Sequence, residues 1–169
     1  KLGIGTFKKS EGPTLFIELE KLLCLQETDM TIFFRTLYRF DPDDLDSHII
    51  NVVHNAFYAL PTDHTMELYL QWELKYRARL LQQRSAVSTG QWSESRARMN
   101  QVNPLYVLRN YMAQSAIDLA GEGDYAMIAK LLELLRNPYK TQVGCEHFAQ
   151  KRPEWARHKA GCSALSCSS

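Results

Sequence analysis

The sequence predicts a mainly α protein with an irregular C-terminal tail, and three observations carry that prediction. Apolar residues recur at the three- and four-residue spacing that lines one face of an α-helix. Residues that start and stop helices bracket those runs. Both signals cease after Pro138, beyond which Gly144, Pro153 and Gly161 interrupt the chain and Trp155 is the one bulky anchor. The 169 residues are enough for one sizeable core, and 45% hydrophobic with 23% charged residues is the balance of a globular protein.

Taken in order, the opening residues are turn-rich, with Gly3, Gly5, Gly12 and Pro13. Their GIG lacks the remainder of a GxGxxG phosphate loop and follows no strand. From Pro13 the spacing predicts a helix with Leu15, Phe16, Leu19, Leu22 and Leu23 on one face. Asp29 is placed to cap the next, whose stripe is Met30, Phe33, Phe34, Leu37 and Tyr38. The acidic run from Asp41 to Asp46 fails as an EF-hand, since Asp46 and Val52 stand where glycine and glutamate are needed. It reads instead as an exposed loop in which Asp46 or Ser47 caps a helix carrying Ile49, Val52, Val53, Ala56, Phe57 and Leu60 up to Pro61.

Thr62 or Asp63 can cap a longer helix with Tyr69, Trp72, Tyr76 and Leu80 in one line and Lys75, Arg77, Arg79 and Arg84 as outward positive charge. Residues 85–93 read as a linker or exposed loop, followed by a brief helix from Glu94 through Gln101. Asn103 and Pro104 then suit an N-cap and a first helical position. The helix they open carries Leu108, Tyr111, Met112, Ser115 and Leu119 on one face and stops at Gly121. Asp124 starts its antiparallel partner, with Ile128, Leu131, Leu132 and Leu135 facing back, and Asn137-Pro138 ends it. The expected organisation is residues 1–138 as a helical body and 139–169 as a tail lying across a larger surface.

Function classes are narrowed chiefly by what is missing. A formal net charge of +1 supplies no basic field for nucleic acid or an anionic membrane, and no apolar run reaches a bilayer's span of about 20 residues. There is no GxSxG, HExxH, HRD or DFG pattern. His48 and His54, six apart, do not form a helical metal pair. The chain starts at Lys1 without an initiator methionine or a recognisable leader, so a segment whose beginning lies further upstream is expected.

Three of the four cysteines, Cys145, Cys162 and Cys167, crowd into the tail. Cys145, His147, His158 and Cys162 contain two thiols and two imidazoles, formally a tetrahedral zinc set, although their spacing departs from the usual knuckle. A redox reading competes, because Cys162 and Cys167 lie close together on a small-residue terminus.

Several strings are more specific than any of these patterns. NPLYVLRNYMAQ at Asn103 to Gln114, GDY at Gly123 to Tyr125, LRNPY at Leu135 to Tyr139, RPEWA at Arg152 to Ala156 and SCSS at Ser166 to Ser169 together resemble the C-terminal region of the selenoprotein O (SelO/YdiU) family. KLGI at Lys1, FFRTL at Phe33 to Leu37 and WELKYRARL at Trp72 to Leu80 are similar to the same family in the same order. The resemblance implies a protein-kinase-like fold that binds ATP with magnesium and transfers AMP to protein hydroxyl side chains. It also implies that the nucleotide, metal and catalytic residues lie upstream of Lys1, so that this segment holds no catalytic, cofactor or metal site. The partners implied are protein substrates and the kinase-like region itself, in the bacterial cytoplasm or, for a eukaryotic parent, the mitochondrion.

Carried over residue by residue, Cys167 stands third from the end, where selenium-containing members have selenocysteine, and so takes the role of redox handle. Those members commonly place a cysteine three positions earlier. Here that position is Ala164, and the nearest cysteine is Cys162. Asn103, Pro104, Arg109, Asn110 and Tyr111 form the family's identifying motif, with an expected structural role. Two other readings compete: a tetratricopeptide-like interaction module built on residues 116–138, of which there is no second copy, and a small zinc-binding domain.

Overall fold

The structure is a computed structural model describing residues 1–5 and 12–162. Among these residues it is helical, with one isolated antiparallel bridge, Thr28 to Phe57, in place of any sheet. It divides into two compact units, residues 1–104 and 105–169. Long helices end at Arg136, and packing divides the chain after Pro104.

The first unit is built around α4 (Asp63–Ser85), whose start is capped by Thr62 accepting from the Thr65 N–H at 3.2 Å. Tyr69, Trp72, Tyr76 and Leu80 fall within one stripe of that helix and are all buried, as their spacing predicts. Against α4 packs α1 (Gly12–Leu25), through Leu15, Leu19, Leu22 and Leu23. The Trp72 indole N–H donates to the Leu15 carbonyl at 2.8 Å, which satisfies the one polar atom of the largest core side chain. Trp72 stacks on Tyr76 at 4.9 Å, and Tyr76 donates its hydroxyl to the Leu2 carbonyl at 2.7 Å. Asp29 caps α2 (Met30–Thr36) by accepting from the Ile32 N–H at 3.0 Å, and Phe33 and Phe34 bury the face it presents.

Three expectations for this unit are corrected. The helix foreseen from Ile49 to Leu60 is only α3 (Ile49–Val52) followed by a single 3-10 turn. Phe57 and Tyr58 instead pair with Thr28 and Glu27, which pulls the chain out of helix and leaves Leu60 94% exposed. The cap of α3 comes from neither Asp46 nor Ser47. Glu73 on α4 accepts from the Ile49 N–H at 2.7 Å, a long-range substitute for a local cap. Finally, residues 85–93 are not a linker, because α5 (Thr89–Val102) begins after a break at Ala86–Ser88.

The second unit holds α6 (Asn110–Gly121) and α7 (Ala126–Arg136), an antiparallel pair whose buried seam is Met112, Ala116, Leu131 and Leu134. Leu131 is buried, as its helical spacing predicts. Ile128 and Leu132, also expected inside, are half exposed, since Leu134 occupies the centre of the seam. The turn between the helices is closed by Gly123 rather than Gly121. Gly123 takes φ +89°, and the Asp124 N–H reaches back to the Leu119 carbonyl at 2.9 Å.

The helix start foreseen at Asn103-Pro104 is also corrected. Asn103 closes α5, its N–H bonding to the Met99 carbonyl at 2.9 Å, and Pro104 prevents that helix from continuing. No helix starts there, because the N–H groups of Leu105 and Tyr106 both donate to the Pro138 carbonyl, at 2.8 and 3.1 Å. That holds them against the end of α7, and regular helix resumes only at Asn110.

The tail behaves differently from expectation as well. Residues 139–162 are irregular, with two short 3-10 turns, yet they fold onto the unit's own core. Cys145 and Phe148 belong to the same buried cluster as Tyr106, Met112 and Leu134. Gln142 caps the end of α7, its side-chain amide donating to the Leu134 and Asn137 carbonyls at 2.9 and 3.1 Å.

Candidate functional site

The sequence singles out two groups of residues: the motif running from Asn103 to Tyr111, and the cysteine tail. The structure splits the first. Asn103 belongs to the first unit and is 1% exposed, donating its amide to the Lys1 carbonyl at 3.0 Å and the Phe34 carbonyl at 3.2 Å. Arg35 completes this junction by donating to the Asn100 and Asn103 carbonyls, at 2.7 and 2.9 Å, where α5 ends. A guanidinium at a helix C-terminus meets both the orphan carbonyls and the negative end of the dipole. Asn103 and Pro104 thus stand at a helix stop.

Arg109, Asn110 and Tyr111 begin α6 in the second unit. The Arg109 carbonyl accepts from Met112 and Ala113, at 2.9 and 3.2 Å, and Asn110 is exposed. Tyr111 meets the tail, its ring lying edge-on to Trp155 with centroids 6.1 Å apart. Gln114 and Asp118 continue that side of α6, bonded to each other at 2.7 Å. Asp118 also takes the Lys159 ammonium, which lies 5.7 Å from the Trp155 ring. The hydrogen bonds from Lys159 and then Gln114 hold the Asp118 carboxyl below its ordinary range, and Asp118 in turn raises Lys159. Gly161 takes φ +81°, and a Cβ there would run into the Gln114 side-chain oxygen. Two strings recognised separately, RNYMAQ and RPEWA, therefore meet through Tyr111 and Trp155.

Cys162 follows directly. Its thiol is 4% exposed, and its N–H bonds to the Lys159 carbonyl at 3.1 Å. Cys167 lies outside the described residues. The zinc set does not assemble: among the described residues no three His, Cys, Asp or Glu side chains are grouped to hold a metal. Cys145 instead packs into the apolar cluster, and the His147 ring lies 4.0 Å from that of Phe148. The α6–α7 pair is covered on its seam by this tail, whereas a tetratricopeptide-like array would use a second helix pair.

Sequence reasoning missed one polar centre. Arg77, expected outside, is 8% exposed and donates to the carbonyls of Pro42 at 2.9 Å, Asp44 at 2.7 Å and Ser47 at 2.5 Å, and to Glu73 at 2.9 Å. Its guanidinium also stands over the Phe40 ring at 4.6 Å. The Glu73–Arg77 spacing of four along a helix was the available signal. The arrangement organises the acidic loop and leaves no guanidinium edge for a phosphate. No helix among the described residues is long and apolar enough to cross a membrane.

Comparison with known proteins agrees on one family. The model described as Protein adenylyltransferase SelO matches residues 1–136. The chain is 45% identical, over its whole length, to a protein nucleotidyltransferase YdiU of Aromatoleum aromaticum, covering 31% of that protein. It is 48% identical over 94% of its length to the YdiU of Tolumonas auensis and 43% identical over all of it to that of Rhodopirellula baltica, covering 29% and 33% of those proteins. The chain thus spans about a third of the length of the curated relatives it matches.

Proposed function

The chain belongs to the SelO protein adenylyltransferase family, and on that premise we propose that it is the C-terminal part of an enzyme that transfers AMP from ATP to serine, threonine or tyrosine hydroxyls of proteins. The family match over residues 1–136 is the observation that carries this reading. Residues 1–138 act as the helical scaffold of a kinase-like fold, and residues 139–169 as a tail whose Cys162 and Cys167 answer to redox state. The segment alone does not catalyse transfer. Its partners are the upstream kinase-like region and the protein substrates. The relatives named above are bacterial, which favours a cytoplasmic enzyme over a mitochondrial one.

The described residues do not fit a nucleotide-bound magnesium. Magnesium takes oxygen donors, and among the described residues no three His, Cys, Asp or Glu side chains are grouped to hold a metal; the two buried carboxylates are engaged elsewhere, Asp29 capping α2 and Glu73 holding Ile49 and Arg77. No step of the transfer is therefore assigned to these side chains. What they supply is the fixed position of the elements around α4 and α6.

Incubating the full-length protein with ATP labelled in its adenine, magnesium and a cell extract is the direct test. Label should enter protein with full-length enzyme and not with residues 1–169 alone. Label from the γ-phosphate entering instead would replace adenylyl transfer with phosphoryl transfer, and transfer by residues 1–169 alone would overturn the scaffold reading.

A further inference from the structure

Two cysteines of the second unit are equally buried but held in different ways. Cys145, 3% exposed, sits inside the apolar cluster with Tyr106, Met112, Leu134 and Phe148. Cys162, 4% exposed, is outside that cluster. The segment leading to it is held at the surface: Trp155 is 55% exposed, and the Lys159 and Asp118 side chains are each 43% exposed. Segments held by few apolar contacts open locally at far lower cost than a core does.

We propose that Tyr111, Gln114 and Asp118 on α6 form a clasp that holds residues 154–162 down, and that opening this clasp, without unfolding the unit, is what exposes the Cys162 thiol. The three α6 residues lie at spacings of three and four, so they share one side of the helix. Each meets a different tail residue: Tyr111 meets Trp155, Gln114 abuts Gly161, and Asp118 takes Lys159. Asp118 joins two of these contacts, accepting from Gln114 through Oδ1 and from Lys159 through Oδ2. Gly161 is the tightest point. Its positive φ disfavours any L side chain, and the space a Cβ would need is already filled by Gln114. A clasp of this kind has three closed contacts and one hidden thiol, which suffices for a switch read by thiol chemistry. The regulatory consequence rests on the redox reading of the tail given above; the clasp itself does not.

The test is alkylation of the native full chain by iodoacetamide, with each cysteine followed separately by peptide mass mapping. Cys24, which is exposed, should react fast, and Cys145 and Cys162 slowly. Lys159→Gln should raise the Cys162 rate about threefold, and Gly161→Ala about tenfold or more, with Cys145 unchanged. Cys162 reacting as fast as Cys24 in the unaltered chain would overturn the clasp. So would an unchanged Cys162 rate in Lys159→Gln, a variant of an exposed side chain that leaves the core untouched. A parallel rise at Cys145 in that variant would do the same, because the two thiols would then share one opening. An unchanged rate leaves redox control of AMP transfer standing, whereas a working clasp with redox-insensitive transfer removes only the redox reading.

Discussion

Glu73 and Arg77, one turn apart on α4, share a 2.9 Å ion pair and between them hold the acidic loop at several points along its length. Arg77 gathers carbonyls along residues 41–47, and Glu73 takes the N–H of Ile49, where α3 begins. Arg77→Ala is expected to lower the unfolding free energy by about 3 kcal/mol in urea titration, because it strands a buried carboxylate and several carbonyls. Arg77→Lys should recover little, since an ammonium cannot span the fork of acceptors. A loss below about 1 kcal/mol in both would mean the loop is held by other contacts.

Asn103 offers a test of sign. Its Nδ2 donates to two carbonyls, while its Oδ1 is buried without a hydrogen-bond partner. Asn103→Ala loses two hydrogen bonds but also removes the stranded oxygen, and should cost about 1 kcal/mol. Asn103→Asp places a carboxylate against the Lys1 and Phe34 carbonyls and should cost at least twice as much by the same measurement. Equal costs would show that a carboxylate facing those two carbonyls carries no penalty of its own.

Gly121 and Gly123 should respond oppositely to alanine. Gly121 is the last residue of α6 with open space around its missing Cβ, so Gly121→Ala should stabilise by up to about 1 kcal/mol in thermal or urea unfolding. Gly123 takes φ +89° after the helix end, and Gly123→Ala should destabilise by about 1 kcal/mol. The reverse pattern would return the helix stop to Gly121.

Stability should fall as the pH rises above 10. Burial pushes the Tyr69 hydroxyl up to about 12 and raises Tyr76 further in the same direction. Both are more readily ionised in the unfolded chain, near pH 10, than in the folded one. Their stabilising effect is therefore complete below pH 10 and is lost as pH rises toward the folded value, about 12 for Tyr69. Urea titrations at pH 9 and 11.5 should differ, and Tyr69→Phe should shrink the difference. A flat profile, or a difference untouched by Tyr69→Phe, would refute the assignment.

Local signals in the sequence proved sufficient wherever a helix is specified by its own residues. Asp29 and Thr62 cap as their chemistry suggests, and Tyr69, Trp72, Tyr76 and Leu80 are buried as their period requires. The failures occur where a distant partner overrides a local preference. Asn103-Pro104 looks like a helix start, but Pro138 has claimed the N–H groups of the next two residues. The residues 49–60 look like one helix, but a pairing with Glu27 and Thr28 ends it. Arg77 looks like a solvated charge, yet a ring of carbonyls from a loop thirty residues earlier makes its burial favourable.

The same division holds for the candidate site. Helical class, element order and the identity of the RNYMAQ and RPEWA strings are properties of the sequence alone, since they depend on residue type and short-range spacing. That Tyr111 meets Trp155, that Gln114 fills the space beside Gly161, and that Cys145 is locked in a core while Cys162 lies outside it were decided by tertiary structure. Those relations join residues some forty positions apart, and which side chains meet there depends on how α6, α7 and the tail share one buried seam.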